Sequence, residues 1–393
     1  MNLLFIHANG IVPTAGGISR TTANLAQLMR KNGHNVWFIG AKDIHSNTEY
    51  DSNQSFLPST TIDSIENETY LRLFLKTYNI KIIINQNPFG IELVCLLHKC
   101  TNDTGVKVVA CYHNSILTPI IRYAYCHEFK LREKHLGWLF NLLRWKPVAN
   151  LLVFGYIVKW RKSFCRTVSL SDAVILLCDG QVNELLRMCG YKSCEKVYVI
   201  PNCLPDQTVM MREKQKCVVW TGTFDYIVKR PDLMLSIWEK VTPQHPEWSL
   251  YMLGDGPSLQ SMKSLVQSKE IKNVIFTGRV NPTKYYEASE IQCMTSVHEA
   301  FPMVSIEAMG HDAAVIAFNS FTSAPYIIDD KRTGLLVKPF SLKEYVAALN
   351  HLMSDDTLRK EMGITARQSV KRFSEDAIYA KWIELFEQLC KNA

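Results

Sequence analysis

Two carboxylates with seven residues between them, Glu299 and Glu307, bracket Ala300-Phe-Pro-Met-Val-Ser-Ile306 directly after an apolar run, and that arrangement could do chemistry. Pro302 suits the first position of a helix, where the N–H it lacks would be unpaired in any case. Phe301, Met303 and Val304 would then present backbone amides that helix hydrogen bonds do not use, a ready anion site. Glu299 falls before the helix and Glu307 in its second turn, so two acceptor-only groups lie on either side of the amides, ready to take hydroxyl protons. Hydroxylated sugar, diphosphate and ribose form a ligand of that layout: a nucleotide sugar. Acidic residues near a helix start are also favoured by the helix dipole alone. The surroundings must therefore decide.

Other residues offer matching chemistry. Lys229 lies in Thr221-Gly-Thr-Phe-Asp-Tyr-Ile-Val-Lys-Arg-Pro-Asp232, between an apolar strand and a helix opened by Pro231, and a cation there could neutralise a departing diphosphate, with Arg230 beside it. His113 ends Val106-Lys-Val-Val-Ala-Cys-Tyr-His113, where a polar side chain at the end of a buried strand must find a partner or face a ligand. His298, next to Glu299, is either a neighbour of the ligand or a loop residue. Gly16 and Gly17 follow the first strand and permit close backbone approach or a positive φ. They do not form the G-x-G-x-x-G dinucleotide fingerprint, which disfavours a nicotinamide-dependent dehydrogenase. No D-x-D triplet or metal-ligand spacing is present, so no metal and no cofactor are expected.

The elements that must hold these residues read as alternating apolar strands and helices, the pattern of parallel sheets covered on both faces. Strands are expected at Leu3–His7, Val36–Gly40, Lys81–Asn85, Val106–Tyr112, Ala173–Cys178 and Lys196–Ile200. After a polar break over 203–216 a second set follows at Lys216–Thr221, Ser249–Leu253, Val274–Thr277, Ile291–Thr295 and Ala314–Ala317. A chain of 393 residues, 47% hydrophobic and 21% charged, suits two such α/β domains. They are expected over residues 1–203 and 204–376, facing each other across a cleft where ligands bind beyond the carboxyl ends of the strands.

Thr295-Ser-Val-His-Glu-Ala-Phe-Pro-Met-Val-Ser-Ile-Glu-Ala-Met309 resembles the E-x7-E segment of the retaining GT-B glycosyltransferases of family four. Gly33-His34-x-Val36, Ile200-Pro-Asn202, Leu253-Gly-Asp-Gly-Pro257, Val274-Ile-Phe-Thr-Gly278 and Thr333-Gly-Leu-Leu-Val337 follow the same family's order. The resemblance implies a GT-B fold of two Rossmann-like domains, with a final helix within 377–393 that crosses back to the first. It implies a hexosyltransferase that moves a sugar from a nucleoside diphosphate to a glycan or lipid-linked acceptor, with retention and without metal, in cell-surface polysaccharide assembly. His113 would be the active-site histidine, Glu299 would hold the transferred sugar and Glu307 the ribose. Lys229 and the amides of 301–304 would take the developing charge, and the Gly16-Gly17 loop would line the donor phosphate. The chain departs from the pattern at Thr223, where an Arg is usual, and at Ala300, where a Gly is usual. Two alternatives stay open: an epimerase acting on the nucleotide sugar itself, and a non-catalytic scaffold docked on a membrane.

Residues 115–166 carry ten Lys or Arg against Glu128 and Glu133, a net +8 in a chain whose total is +7, so the remainder is −1. Trp138, Phe140, Leu142, Leu143, Trp145, Phe154, Tyr156 and Trp160 interleave with these cations. That mixture reads as interfacial helices on an anionic membrane surface, against the plainer reading of a solvated rim around a packed face. The longest apolar run, Val148 to Val158, is too short to span a bilayer, where about 20 residues are needed. Nucleic acid is not an expected partner, since no helix-turn-helix or RNA-binding motif accompanies the basic stretch. The start of the chain lacks a basic leader and cleavage site, and its twelve cysteines show no paired spacing. A cytoplasmic protein, peripheral on the inner membrane face, with reduced buried thiols is expected.

Overall fold

In parallel sheets with helices on both faces, every strand is buried on both sides and reads as a continuous apolar run. The first sheet follows that rule: in β1 (Asn2–Asn9), Leu3 and Phe5 join one core while Leu4 and Ile6 join another on the opposite face. The structure, a computed structural model, describes residues 1–12, 16–43, 50–206 and 213–391. Seven parallel strands make this sheet: β1, β2 (Asn35–Lys42), β3 (Gln54–Phe56), β4 (Ile82–Asn85), β5 (Lys107–Cys111), β6 (Ala173–Leu176) and β7 (Val197–Val199). Their spatial order is β3-β2-β1-β4-β5-β6-β7, which reverses direction between β1 and β4.

Six further parallel strands form the second sheet: β8 (Gln215–Thr221), β9 (Ser249–Leu253), β10 (Val274–Gly278), β11 (Ser289–Met294), β12 (Ala314–Phe318) and β13 (Gly334–Val337). Their order is β10-β9-β8-β11-β12-β13, with the reversal between β8 and β11. Strands meet at their carboxyl ends with diverging loops at such reversals, which is where open α/β sheets hold ligands. The helices used below are α1 (Gly17–Lys31), α2 (Tyr123–Glu133), α3 (Gly137–Arg144), α4 (Lys146–Leu170), α5 (Pro231–Val241), α6 (Met303–Gly310) and α7 (Glu375–Lys391).

The chain divides into two compact units, Met1–Asn114 with Ile157–Pro205 and Phe373–Ala393, and Ser115–Tyr156 with Asp206–Arg372. Helix α7 packs Ile378, Trp382, Leu385 and Phe386 into the core of the first sheet beside Phe5, Ile84 and Val109. Residues 115–156 differ from the sequence reading, which assigned all of 115–166 to the first domain. They group instead with the second sheet, and the contacts that bind them are specific. Tyr125 stacks on Phe340 at 3.7 Å and Phe129 on Tyr226 at 3.6 Å between ring centroids. The Arg122 Nε–H donates to the Ser320 carbonyl at 2.9 Å. Ring pairs of this kind contribute beyond the area they bury.

No described helix is long and apolar enough to cross a membrane.

Candidate functional site

The site begins with two glycines. After β8 the chain runs through Gly222-Thr223-Phe224, and the loop after β9 lies directly against it: Gly222 N–H donates to Leu253 O at 3.0 Å, and Phe224 N–H to Asp255 O at 2.9 Å. A Cβ on Gly254, at φ +130°, would fall 1.9 Å from the Gly222 carbonyl oxygen, and one on Gly256 2.7 Å from the Phe224 backbone. Only glycine permits that approach. The Leu253-Gly-Asp-Gly motif therefore shapes the loop that leads to Lys229.

From there the backbone is stitched to the loop after β11. Asp225 Oδ1 accepts from the amides of Ile227 and Val228, and Val297 N–H donates to Val228 O at 2.7 Å. Thr295 Oγ1 lies 2.9 Å from Lys229 O and 3.0 Å from Arg230 O, and accepts from Trp220 Nε1–H. The threonine hydroxyl thus ties both loops at the reversal between β8 and β11. The result is an ion pair: Lys229 Nζ donates to Glu299 Oε1 at 2.6 Å, the two side chains 21% and 14% exposed. Sequence reading gave them separate duties, and the structure brings them together. His298 stands half-buried beside the pair, its pKa lowered by burial despite the nearby Glu299 carboxylate.

Helix α6 starts one residue later than the spacing predicts. Pro302 is its N-cap, with extended backbone, and Met303 is the first helical residue. Phe301, Pro302 and Met303 are buried and Val304 is half-buried. Ser305 N–H is already taken by Pro302 O at 3.1 Å, so the amides at the very start of the helix are those of Met303 and Val304. Glu307 lies in the second turn, 9% exposed.

Arg230 corrects an expectation. It was read as part of the donor clamp, yet it is 4% exposed and held by two carboxylates, Asp232 at 2.8 Å and Glu128 of α2 at 3.1 Å. A guanidinium engaged this way is a strut between α2 and the start of α5. Glu128 escaped sequence reading because it lies 102 residues upstream of its partner.

In the first unit the corresponding reversal lies between β1 and β4. His113, just past β5, donates its Nε2–H to Gln86 Oε1 in a close hydrogen bond, which leaves Nδ1 as the unprotonated nitrogen. That Nδ1 and Gln86 Nε2 are buried without a hydrogen-bond partner among the described residues. Gln86, His113 and Asn202 help line a cavity of about 20 Å³, the size of one water molecule. Gln86 was missed in sequence reading, although the Asn85-Gln86 pair closing the apolar run Ile82–Ile84 was a signal. Gly16 and Gly17 are exposed at the start of α1, and a Cβ on either would meet nothing within 4 Å among the described residues. Residues 13–15 of their loop lie outside the described residues.

Burial pushes the His113 imidazole down to about 4, with His7 adding a smaller effect of the same sign. An unfolded histidine titrates near 6.5. Because the folded value is the lower one, the unfolded chain binds the extra proton, and stability falls as pH drops from about 6.5 toward 4. Native His113 should therefore cost on the order of 1 kcal/mol between pH 6.5 and 5. Urea titrations of the wild type and His113→Gln at the two pH values check this: the variant should lose a measurably smaller part of its stability over that interval.

Comparison with known proteins identifies the family. The model described as Glycosyltransferase Family 4 matches residues 15–207, and that described as Glycosyl transferases group 1 matches residues 208–369. The amylovoran biosynthesis glycosyltransferase AmsD of Erwinia amylovora is 31% identical over 255 residues, 60% of this chain and 68% of that protein. The chain belongs to the group 1 glycosyltransferases. An uncharacterized glycosyltransferase of Haemophilus influenzae, itself similar to this group 1 chain, is 28% identical over 46% of the chain, and the match spans 52% of the relative's length. Among solved structures, the pneumococcal O-GlcNAc transferase GtfA in complex with UDP and GlcNAc aligns over 99% of each chain with a TM-score of 0.74 at 14% identity. That likeness gives this group 1 glycosyltransferase its fold, GT-B.

The two family models meet at 207/208. Spatial grouping differs from that division by placing residues 115–156 in the second unit.

Proposed function

We propose that this protein transfers a hexose from a nucleoside diphosphate sugar to a glycan or lipid-linked acceptor with retention of anomeric configuration, in the assembly of a cell-surface polysaccharide. The observation that carries the reading is the Lys229–Glu299 pair at 2.6 Å, set at the strand reversal and followed within a few residues by the start of α6. A bound diphosphate would lie against the amides of Met303 and Val304 and draw the Lys229 ammonium toward itself. Glu299 is then released to hydroxyls of the sugar, while Glu307 accepts from the ribose. Charge that develops on the leaving phosphate meets donors already in place, a large contribution to lowering a barrier. The reading uses no metal and no cofactor. His113, neutral over the ordinary pH range, would serve as a hydrogen-bonding group for the sugar or acceptor. The reaction is assigned to the cytoplasmic side of a membrane.

Support comes from what similar proteins hold or make: GtfA binds UDP and GlcNAc, and AmsD acts in amylovoran biosynthesis. A panel of nucleotide sugars screened by thermal shift, followed by product analysis with acceptor glycans, tests the reading. The two carboxylates should separate in kinetics. Glu307→Ala should weaken nucleotide binding by about 10- to 100-fold, the worth of hydrogen bonds to a charged group. Glu299→Ala should act chiefly on kcat, because it holds the part of the donor that reacts. Equal and negligible effects in calorimetry and turnover, or release of an epimerised nucleotide sugar without acceptor, would sink the proposal.

A further inference from the structure

Helix α3 turns one side inward. Phe140 is 3% exposed, meets the ring of Tyr125 edge-on, and lies under the guanidinium groups of Arg132 and Arg144. That single buried contact fixes what the opposite side presents. Trp138 and Leu142 lie at the i, i+4 spacing of one helix face, Trp145 follows as the extended residue that ends the helix, and the three are 64%, 41% and 61% exposed. The next helix, α4, does the same at its start: Val153 is buried, whereas Leu151 and Phe154 are 68% and 64% exposed. Five large apolar side chains within 17 residues of sequence therefore face solvent. Single exposed apolar residues are ordinary on a protein surface, but a run of them marks an interaction site.

The charge around these helices selects the occupant. From 115 to 156 the basic residues are Arg122, Lys130, Arg132, Lys134, Arg144 and Lys146, against Glu128 and Glu133 alone. Glu128 is already engaged by Arg230 and Arg132. Lys130, Arg132, Lys134, Arg144 and Lys146 are exposed. Indole rings with a polar edge, aliphatic side chains and surrounding cations are the composition of a surface that lies in the headgroup region of an anionic bilayer. We infer that α3 and the first three turns of α4 dock on an anionic lipid surface. The docking element belongs to the second unit, the one that carries Lys229, Glu299 and Glu307. Ser115, at the head of the same segment, donates its hydroxyl to Glu299 O at 2.8 Å.

Sedimentation of the full chain with vesicles tests the inference without relying on sugar transfer. Vesicles of phosphatidylcholine mixed with phosphatidylglycerol should bind the protein at least about tenfold more strongly than phosphatidylcholine alone, as a basic surface requires. The combined variant Trp138→Ser, Trp145→Ser and Phe154→Ser changes only exposed side chains and should keep the wild-type melting temperature. It should lose at least about tenfold in partition, since burial of apolar area supplies the rest of the affinity. Charge reversal at Lys130, Lys134 and Lys146 should weaken binding to the anionic vesicles and leave any binding to neutral ones unchanged. Equal binding of the wild type to both lipids, or wild-type partition by the serine variant, overturns the inference. So does failure to bind vesicles combined with self-association that the serine variant abolishes, which would assign the surface to a second copy of the chain.

Discussion

Lys229→Ala should reduce kcat with the preferred nucleotide sugar by about 10²- to 10³-fold, the loss seen when one preorganised donor to a developing negative charge is removed. Nucleotide affinity should change far less. The expectation follows from the position of the ammonium group, 2.6 Å from Glu299 and on a loop locked by Thr295 and Val297. Lys229 and Glu299 are 21% and 14% exposed, so the variant leaves a largely buried carboxylate without its cation, and its melting temperature must be read beside its rate to separate loss of fold from loss of chemistry. Lys229→Arg, which keeps the charge but not the point geometry, should recover part of the rate. Single-turnover kinetics with a saturating donor reads the chemical step directly. A kcat within about threefold of the wild type would remove Lys229 from the reaction, since that is under 1 kcal/mol.

Arg230→Ala carries the largest expected loss of stability, about 3–5 kcal/mol, because it leaves two carboxylates facing each other without the cation that joins them. The side chain is 4% exposed, and its partners Glu128 and Asp232 are 18% and 21% exposed. Calorimetry should show the transition of the second unit shifted down while that of the first holds its place. A residue at φ +52° adds a discriminating control. Glycine adopts that conformation at less cost than alanine, so Arg230→Gly should be less damaging than Arg230→Ala by about 1 kcal/mol. Neutralising the partners as well, with Glu128→Gln and Asp232→Asn, should restore part of the loss. Unchanged melting in Arg230→Ala would show that the strut holds nothing.

Much of this architecture is legible in the sequence for one physical reason: strands covered on both faces must be apolar without interruption. Leu3–His7 and Ala314–Ala317 need no context to be read as strands. β3 escaped because Gln54-Ser-Phe56 is a three-residue edge strand with no such run, and β13 because Gly334–Val337 was read as a family mark and not as a strand. The two glutamates of the site are close in sequence and rest on local helix geometry, so their arrangement could be anticipated to within one residue of the helix start. The partner of Glu299 could not. It lies 70 residues away, and their meeting depends on β8 lying beside β11. The same holds for Arg230, whose role as a strut needs Glu128, and for residues 115–166, whose uniform composition hides the break after Tyr156 between two packing environments.

Each compact unit borrows a distant piece of chain. The second needs α2, made long before the strands it braces, and the first needs α7, which comes after every strand of its sheet. The first cannot complete its core before α7 has been made, and a fragment covering 206–372 alone would leave Arg230 without Glu128, Tyr226 without Phe129 and Phe340 without Tyr125. Folding of the first unit must therefore wait for α7, and a nonsense codon shortly before Ile378 would cost that unit a share of its core although every strand of its sheet had already been translated.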